Sequence, residues 1–238
     1  MNTQSNPIMT FHSRRPILAA LVITAAYLLM SVLFRYASRS ILPGFDPDFV
    51  GLVALAVVVA IHLTILGWWR ESGFNRTSEW RNSRLMWFPF VVVLVLPFLR
   101  GIHSSDWSKF AYLALAYALT GFMEEGLMRG IVMRTLKPTG VNRSIVISAL
   151  LFGLFHIGNL VSRNPAIVFA QMLGAFVHGI GLGAFRHKTN TIWFPVILHA
   201  LHDLALQYSN FPTIPLDVVM VTLLMLYGIY LLRGQGHE

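Results

Sequence analysis

Apolar residues fall in runs of about 20, the length at which an α-helix crosses the hydrocarbon of a bilayer. The runs predict helices near 16–34, 49–69, 85–99, 107–133, 144–161, 165–185, 191–208 and 214–232. Turn-forming clusters separate most of them: Pro43-Gly44 with Asp46-Pro47-Asp48, Glu71-Ser72-Gly73, Lys137-Pro138-Thr139-Gly140, Asn164-Pro165 and Phe211-Pro212. The pattern predicts an all-α, polytopic membrane helix bundle of about eight transmembrane helices. Residues 16–233 form its membrane domain and residues 1–15 a polar N-terminal tail. Arg14-Arg15 followed by the apolar stretch Pro16 to Phe34 resembles a signal sequence, but a run of this length suits a retained anchor better than a cleavable segment.

Composition supports this reading. Hydrophobic residues make up 55% of the chain and charged ones 12%, with a mean hydropathy of +0.63; a soluble domain needs about 25% charged residues to wet its surface. Membrane lipid is therefore the first partner to expect. The chain has no cysteine, which excludes disulfides, thiolate metal sites, a cysteine nucleophile and S-lipidation.

The formal charge of +8 is scattered over the ends of apolar runs, which argues for orientation in a bilayer and against nucleic acid. With a cytoplasmic N-terminus, the cytoplasmic side receives twelve basic residues: Arg14, Arg15, Arg70, Arg76, Arg81, Arg84, Arg134, Lys137, Arg143, Arg186, Lys188 and Arg233. The other side receives five: Arg35, Arg39, Arg100, Lys109 and Arg163. Both termini are accordingly expected in the cytoplasm, in a protein of the cell membrane.

Ionisable residues inside the apolar runs are the candidates for chemistry, because a charge at the centre of a spanning helix costs roughly 2.5–3.5 kcal/mol on insertion scales. The fourth run carries Glu124, Glu125 and Arg129. Glu125 and Arg129, four residues apart with the acid first, are expected to form a structural ion pair. Glu124 is rotated about 100° from Glu125 and lacks that partner, which makes it a candidate general base.

The fifth run carries His156 and the seventh His199 and Asp203, again four residues apart, with His202 on another face. Counted from the cytoplasmic ends of their helices at about 1.5 Å per residue, Glu124, His156 and His199 lie roughly 15–20 Å deep. One layer near mid-membrane thus collects an acid and two imidazoles. Phe152 reads as packing, His62, His103 and His178 as interhelical hydrogen-bond partners, and Trp68, Trp69 and Trp87 as headgroup-level residues.

Three motifs in order, Glu124-Glu125-Gly126-Leu127-Met128-Arg129 (EExxxR), Phe152-Gly153-Leu154-Phe155-His156 (FxxxH) and His199-Ala200-Leu201-His202-Asp203 (HxxxN/D), resemble those of the CPBP intramembrane proteases. That family includes CAAX prenyl endopeptidases and bacteriocin-processing proteins. The resemblance implies a protease-like core at about 107–208, in which Glu124 and His156 activate a water while His199 and Asp203 form an oxyanion pocket. It also implies a membrane-associated peptide or protein substrate, possibly lipidated. Met128 stands where many relatives have an aromatic residue, and Asp203 where asparagine is commoner.

No cofactor is required by this scheme. An alternative is a zinc-dependent form of the same protease, since Glu124, His156 and His199 are a familiar ligand set with one position left for water. A non-catalytic binding or immunity protein, or a proton-coupled transporter, would also carry mid-membrane ionisable residues, but no paired broken helices of the transporter kind are seen.

Overall fold

The computed structural model describes residues 14–104 and 106–233. The expected polar tail thus lies, apart from Arg14 and Arg15, outside the described residues. The described chain is helical, with no strand beyond one isolated bridge between Ile102 and Ser209. Its α-helices are α1 (Pro16–Ile41), α2 (Pro47–Leu66), α3 (Trp87–Leu94), α4 (Trp107–Glu125), α5 (Met133–Leu136), α6 (Val141–Phe155), α7 (Pro165–Thr189), α8 (Trp193–Tyr208) and α9 (Thr213–Arg233). A π-helical stretch, Gly126–Val132, joins α4 to α5.

Among the described residues, helical segments therefore occur where the eight apolar runs place them, and the protein is an integral membrane protein. Five of the described segments are both long and apolar enough to cross a bilayer: Pro16–Ile41, Pro47–Leu66, Val141–Val161, Pro165–Thr189 and Thr213–Arg233. The third segment departs from expectation. Its α-helical part has only 8 residues, with 3-10 turns at Ser83–Met86 and Leu96–Phe98. Pro97 lacks a backbone donor and stops the ladder, and a helix of this length rises only about 12 Å. The first segment is longer than expected, because Arg35 on α1 pairs with Asp48 on α2 at 2.6 Å and continues the helix past the apolar run.

Helix starts follow local chemistry. The Asp106 side chain accepts from the Lys109 backbone N–H at 2.7 Å and from Ser108 Oγ at 2.5 Å, capping α4. Hydrogen bonding to its charged form, led by Ser108, holds the Asp106 carboxyl below the ordinary carboxylate range. Asn164 caps α7 through Ala166 N at 2.9 Å, with Pro165 in the first turn.

Two apolar cores hold the bundle. One gathers α1, α2, the π-helical stretch and α6 around Leu63, Leu127, Ile131 and Phe152, and the other gathers α3, α7, α8 and α9 around Phe185, Leu198, Met220 and Leu224. Close backbone approaches set the spacing of the helices that carry the candidate residues. A Cβ on Gly121 would meet the Val196 carbonyl at 2.6 Å, so α4 and α8 touch; one on Gly153 would meet the Met172 carbonyl at 2.6 Å, so α6 and α7 touch.

Trp68 faces protein rather than lipid: it is 4% exposed and packs in the first core, with the Arg134 guanidinium 5.1 Å above its ring. His62 does link two helices, 3.1 Å from the Tyr27 hydroxyl. His103 lies in the loop before α4 rather than in a helix.

The lack of native cysteine makes sidedness directly measurable. Single cysteines introduced beside Arg84, Arg143 and Lys188 should be shielded from a membrane-impermeant maleimide in intact cells, while cysteines at Ser105 and at the exposed Asn210 beside Ser209 should react. Labelling at Arg143 with protection at Asn210 would reverse the orientation.

Candidate active site

The acidic pair lies where α4 gives way to the π-helical stretch. Such wide turns are rare and occur often at functional sites. All of Gly126–Val132 is buried, and the Met128 carbonyl accepts a hydrogen bond from Ser148 Oγ at 2.8 Å. Arg129 Nη1 donates to Glu125 Oε1 at 2.9 Å, and both side chains are fully buried. The guanidinium stacks 4.5 Å above the Phe152 ring, so the first residue of the FxxxH motif packs against the last of EExxxR.

Glu125 does more than neutralise Arg129. The same Oε1 lies 2.8 Å from His199 Nδ1 on α8. A carboxylate that already accepts from a guanidinium can only accept here too, so Nδ1–H is the donor and His199 presents Nε2 to the opposite side. That nitrogen lies 3.5 Å from Glu124 Oε2 and 3.7 Å from Asp203 Oδ2. Asp203 is thus too far from His199 for a hydrogen bond, and the group that orients the imidazole is Glu125. Spacing along one helix cannot reveal a contact between α4 and α8, which is why the sequence shows Glu125 only as half of an ion pair.

His156 stands where α6 ends and a 3-10 stretch, His156–Val161, begins. Its Nδ1 is 2.9 Å from the Phe152 carbonyl, an acceptor, so Nδ1 carries the proton and Nε2 of a neutral ring offers a lone pair. Glu124 and His156 line one cavity of about 430 Å³, whose rim includes Arg35, Asp46 and Arg163. At that rim the Tyr112 hydroxyl, 2.8 Å away, is the main group holding the Asp46 carboxyl below its usual range. Asp203 lines a second cavity of about 950 Å³. Tyr117 and Arg163 border both.

Two residues read as bland or set aside in the sequence belong to this cluster. The His178 ring lies 5.5 Å from that of His199 and 4.6 Å from that of His202, and its buried Nε2 has no hydrogen-bond partner among the described residues. His202 Nδ1 is 3.2 Å from Asp203 Oδ1. Among the described residues no three His, Asp or Glu side chains are arranged to hold a metal ion.

This constellation of motif residues on α4, α6 and α8 agrees with a comparison against known families. The model for the family described as type II CAAX prenyl endopeptidase Rce1-like matches residues 106–205. This segment is similar to that family. A comparison with curated proteins found no match. The Rce1-like segment runs from the α4 cap, Asp106, to Ala205 on α8, and so holds all three motifs. The family implies a CAAX-type intramembrane protease. The helices before Asp106 and after Ala205 wrap this segment and supply further groups to its cavities: Arg35 and Asp46 to the first, Asp217 to the second.

Proposed function

We propose that the protein is an intramembrane endopeptidase in which Glu124 and His156 activate water and His199 and Asp203 stabilise the tetrahedral intermediate. The observation that carries this reading is the meeting of Glu124 Oε2 and His199 Nε2, 3.5 Å apart, beside a cavity that also admits His156. Peptide hydrolysis needs a base within reach of a water and donors aimed at the oxygen that becomes negative.

Glu124 takes a proton from the water while the His156 Nε2 lone pair accepts its second O–H. The new C–O bond turns the carbonyl oxygen into an oxyanion. His199, whose Nδ1–H is committed to Glu125, donates to that oxyanion from Nε2–H. The proton on Glu124 then passes to the amide nitrogen as the C–N bond breaks, leaving a carboxylic acid and an amine. No metal enters these steps; full activity after exhaustive chelation supports them, and loss restored by zinc alone supports the zinc-dependent form.

The cavities lie at the end of the bundle that carries Arg35 and Arg163. With both termini cytoplasmic, this end faces away from the cytoplasm, and the labelling experiment above tests the side from which a peptide or protein substrate, lipidated or not, enters. The location in the cell membrane is part of the same proposal.

Asp203 takes the place of the commoner asparagine as a protonated donor. Since Glu125 already orients His199, an orienting role for Asp203 is superfluous. Activity should fall at alkaline pH as Asp203 loses its proton, and Asp203→Asn should remain active without that limb, because an amide N–H does not ionise. Cleavage of a farnesylated CAAX-type reporter peptide across pH measures this, with Asp203→Ala as the inactive control. Impairment of Asp203→Asn at every pH would contradict the donor role.

A further inference from the structure

Asp203 has two oxygens, and only one of them faces His199. Oδ2 lies 3.7 Å from His199 Nε2, while Oδ1 lies 3.2 Å from His202 Nδ1. A carboxyl group can mimic an amide only if one oxygen accepts while the other holds the proton. Free to turn, the group would carry its proton away from the site half of the time. His202 prevents this if its Nδ1–H points at Oδ1, and the question becomes what keeps a proton on that nitrogen.

The answer lies beyond the family match, on α9. His202 is 4% exposed, and its Nε2 lies 3.1 Å from Asp217 Oδ1. The contact is an ion pair off the N–H axis rather than an aligned hydrogen bond. The Asp217 side chain is 33% exposed and lines the same cavity as Asp203, so its carboxyl can turn and can exchange protons with water there. With both ring nitrogens against carboxyl oxygens, each contact needs a proton between nitrogen and oxygen. A negative Asp217 at Nε2 balances a His202 that carries both.

We propose that Asp217, acting through His202, is a positioning residue for the endopeptidase reaction: it holds Asp203 with Oδ1 as acceptor and Oδ2 as the donor facing the reacting carbonyl. This rests on the donor reading of Asp203.

Other ionisable groups face the trio. Glu124 and Tyr117 approach from α4, His156 from the end of α6, His178 from α7 and His199 from α8, while Arg163 and His103 line the cavity wall. None of them contacts His202 Nε2 within ion-pair distance; Asp217 does. Its removal should therefore act on Asp203 through one route.

The test is a double-mutant cycle on the farnesylated CAAX-type peptide, read as kcat and KM against pH. Asp217→Asn lets His202 lose its second proton, and with it the cation nearest Asp203, which makes that acid harder to ionise. Asp217→Asn should therefore move the alkaline limb to higher pH by about one unit and lower kcat with little change in KM. Asp217→Glu should restore the limb. In an Asp203→Asn background the same Asp217→Asn change should have no effect on the profile, because the amide has no limb to move.

Ring-nitrogen NMR of histidine-labelled protein supplies a readout independent of turnover. Asp217→Asn should shift the His202 resonances, assigned with His202→Gln. An unmoved limb, an equal loss in the Asp203→Asn background, or unshifted His202 resonances would overturn the proposal and leave the donor reading intact. Impairment of Asp203→Asn alone at every pH would overturn the donor reading itself.

Discussion

Arg129→Met should nearly eliminate the protein from membranes, an effect larger than that of any other single change considered. The substitution keeps length and apolar contact with Phe152 but removes the cation beside Glu125. Glu125 is fully buried, and its Oε2 has no hydrogen-bond partner among the described residues, so all of its compensation comes through Oε1, from Arg129 and His199. Breaking a buried pair by removing one partner costs about 3–5 kcal/mol, because the remaining charge stays in a medium of low dielectric. That is a large part of the net stability of a typical domain.

Glu125→Gln should also lower abundance, by stranding the guanidinium, whose Nε and Nη2 likewise lack partners among the described residues. The double change Glu125→Gln with Arg129→Met leaves no charge and should recover much of the lost protein. Quantitative immunoblots of membranes measure all three. If the double variant is as scarce as Arg129→Met, charge stranding is not the cause, and the loss of Arg129 packing on Phe152 is.

Glu124→Gln should do the opposite: normal abundance with no turnover. The side chain is mostly buried, at 13% exposure, but its nearest partner is His199 at 3.5 Å, beyond a hydrogen bond, so little structure depends on its charge. The amide keeps the shape and loses the basicity. General base catalysis contributes about 10²–10⁴-fold, and Glu124 also returns the proton to the leaving amine, so the loss should reach the upper end of that range. Restored turnover in Glu124→Asp at a reduced rate would agree with a base whose reach matters.

How far the sequence leads depends on the range of the interaction. Helix segments follow from apolar run length, a local property, and the motif residues follow from spacing within one helix, as for Glu125 with Arg129. The short α3 shows a limit: run length alone does not register that Pro97 interrupts the ladder. The π-helical stretch after Glu125 was not visible either, since its periodicity differs from an α-helix by less than the noise in a seven-residue window.

Contacts between helices are beyond such patterns. Glu125 with His199, His178 against His202, and Asp217 with His202 each join different helices, and their partners are separated by 74, 24 and 15 positions in the chain. The one signal for them was energetic: each is an ionisable residue in an apolar run, and such residues seek one another. Applied to Asp217 and His178 as strictly as to Glu124, that rule would have found them.

The central claim is that Glu124 drives hydrolysis of a peptide bond in a membrane-associated substrate. The most direct measurement compares protein termini, by mass spectrometry, in membranes of cells that carry the wild type, Glu124→Gln at equal abundance, or neither. The account predicts at least one peptide bond cut only with the wild type, with its uncut precursor accumulating alike in the Glu124→Gln and empty cells. Matching termini in wild-type and Glu124→Gln membranes would contradict it.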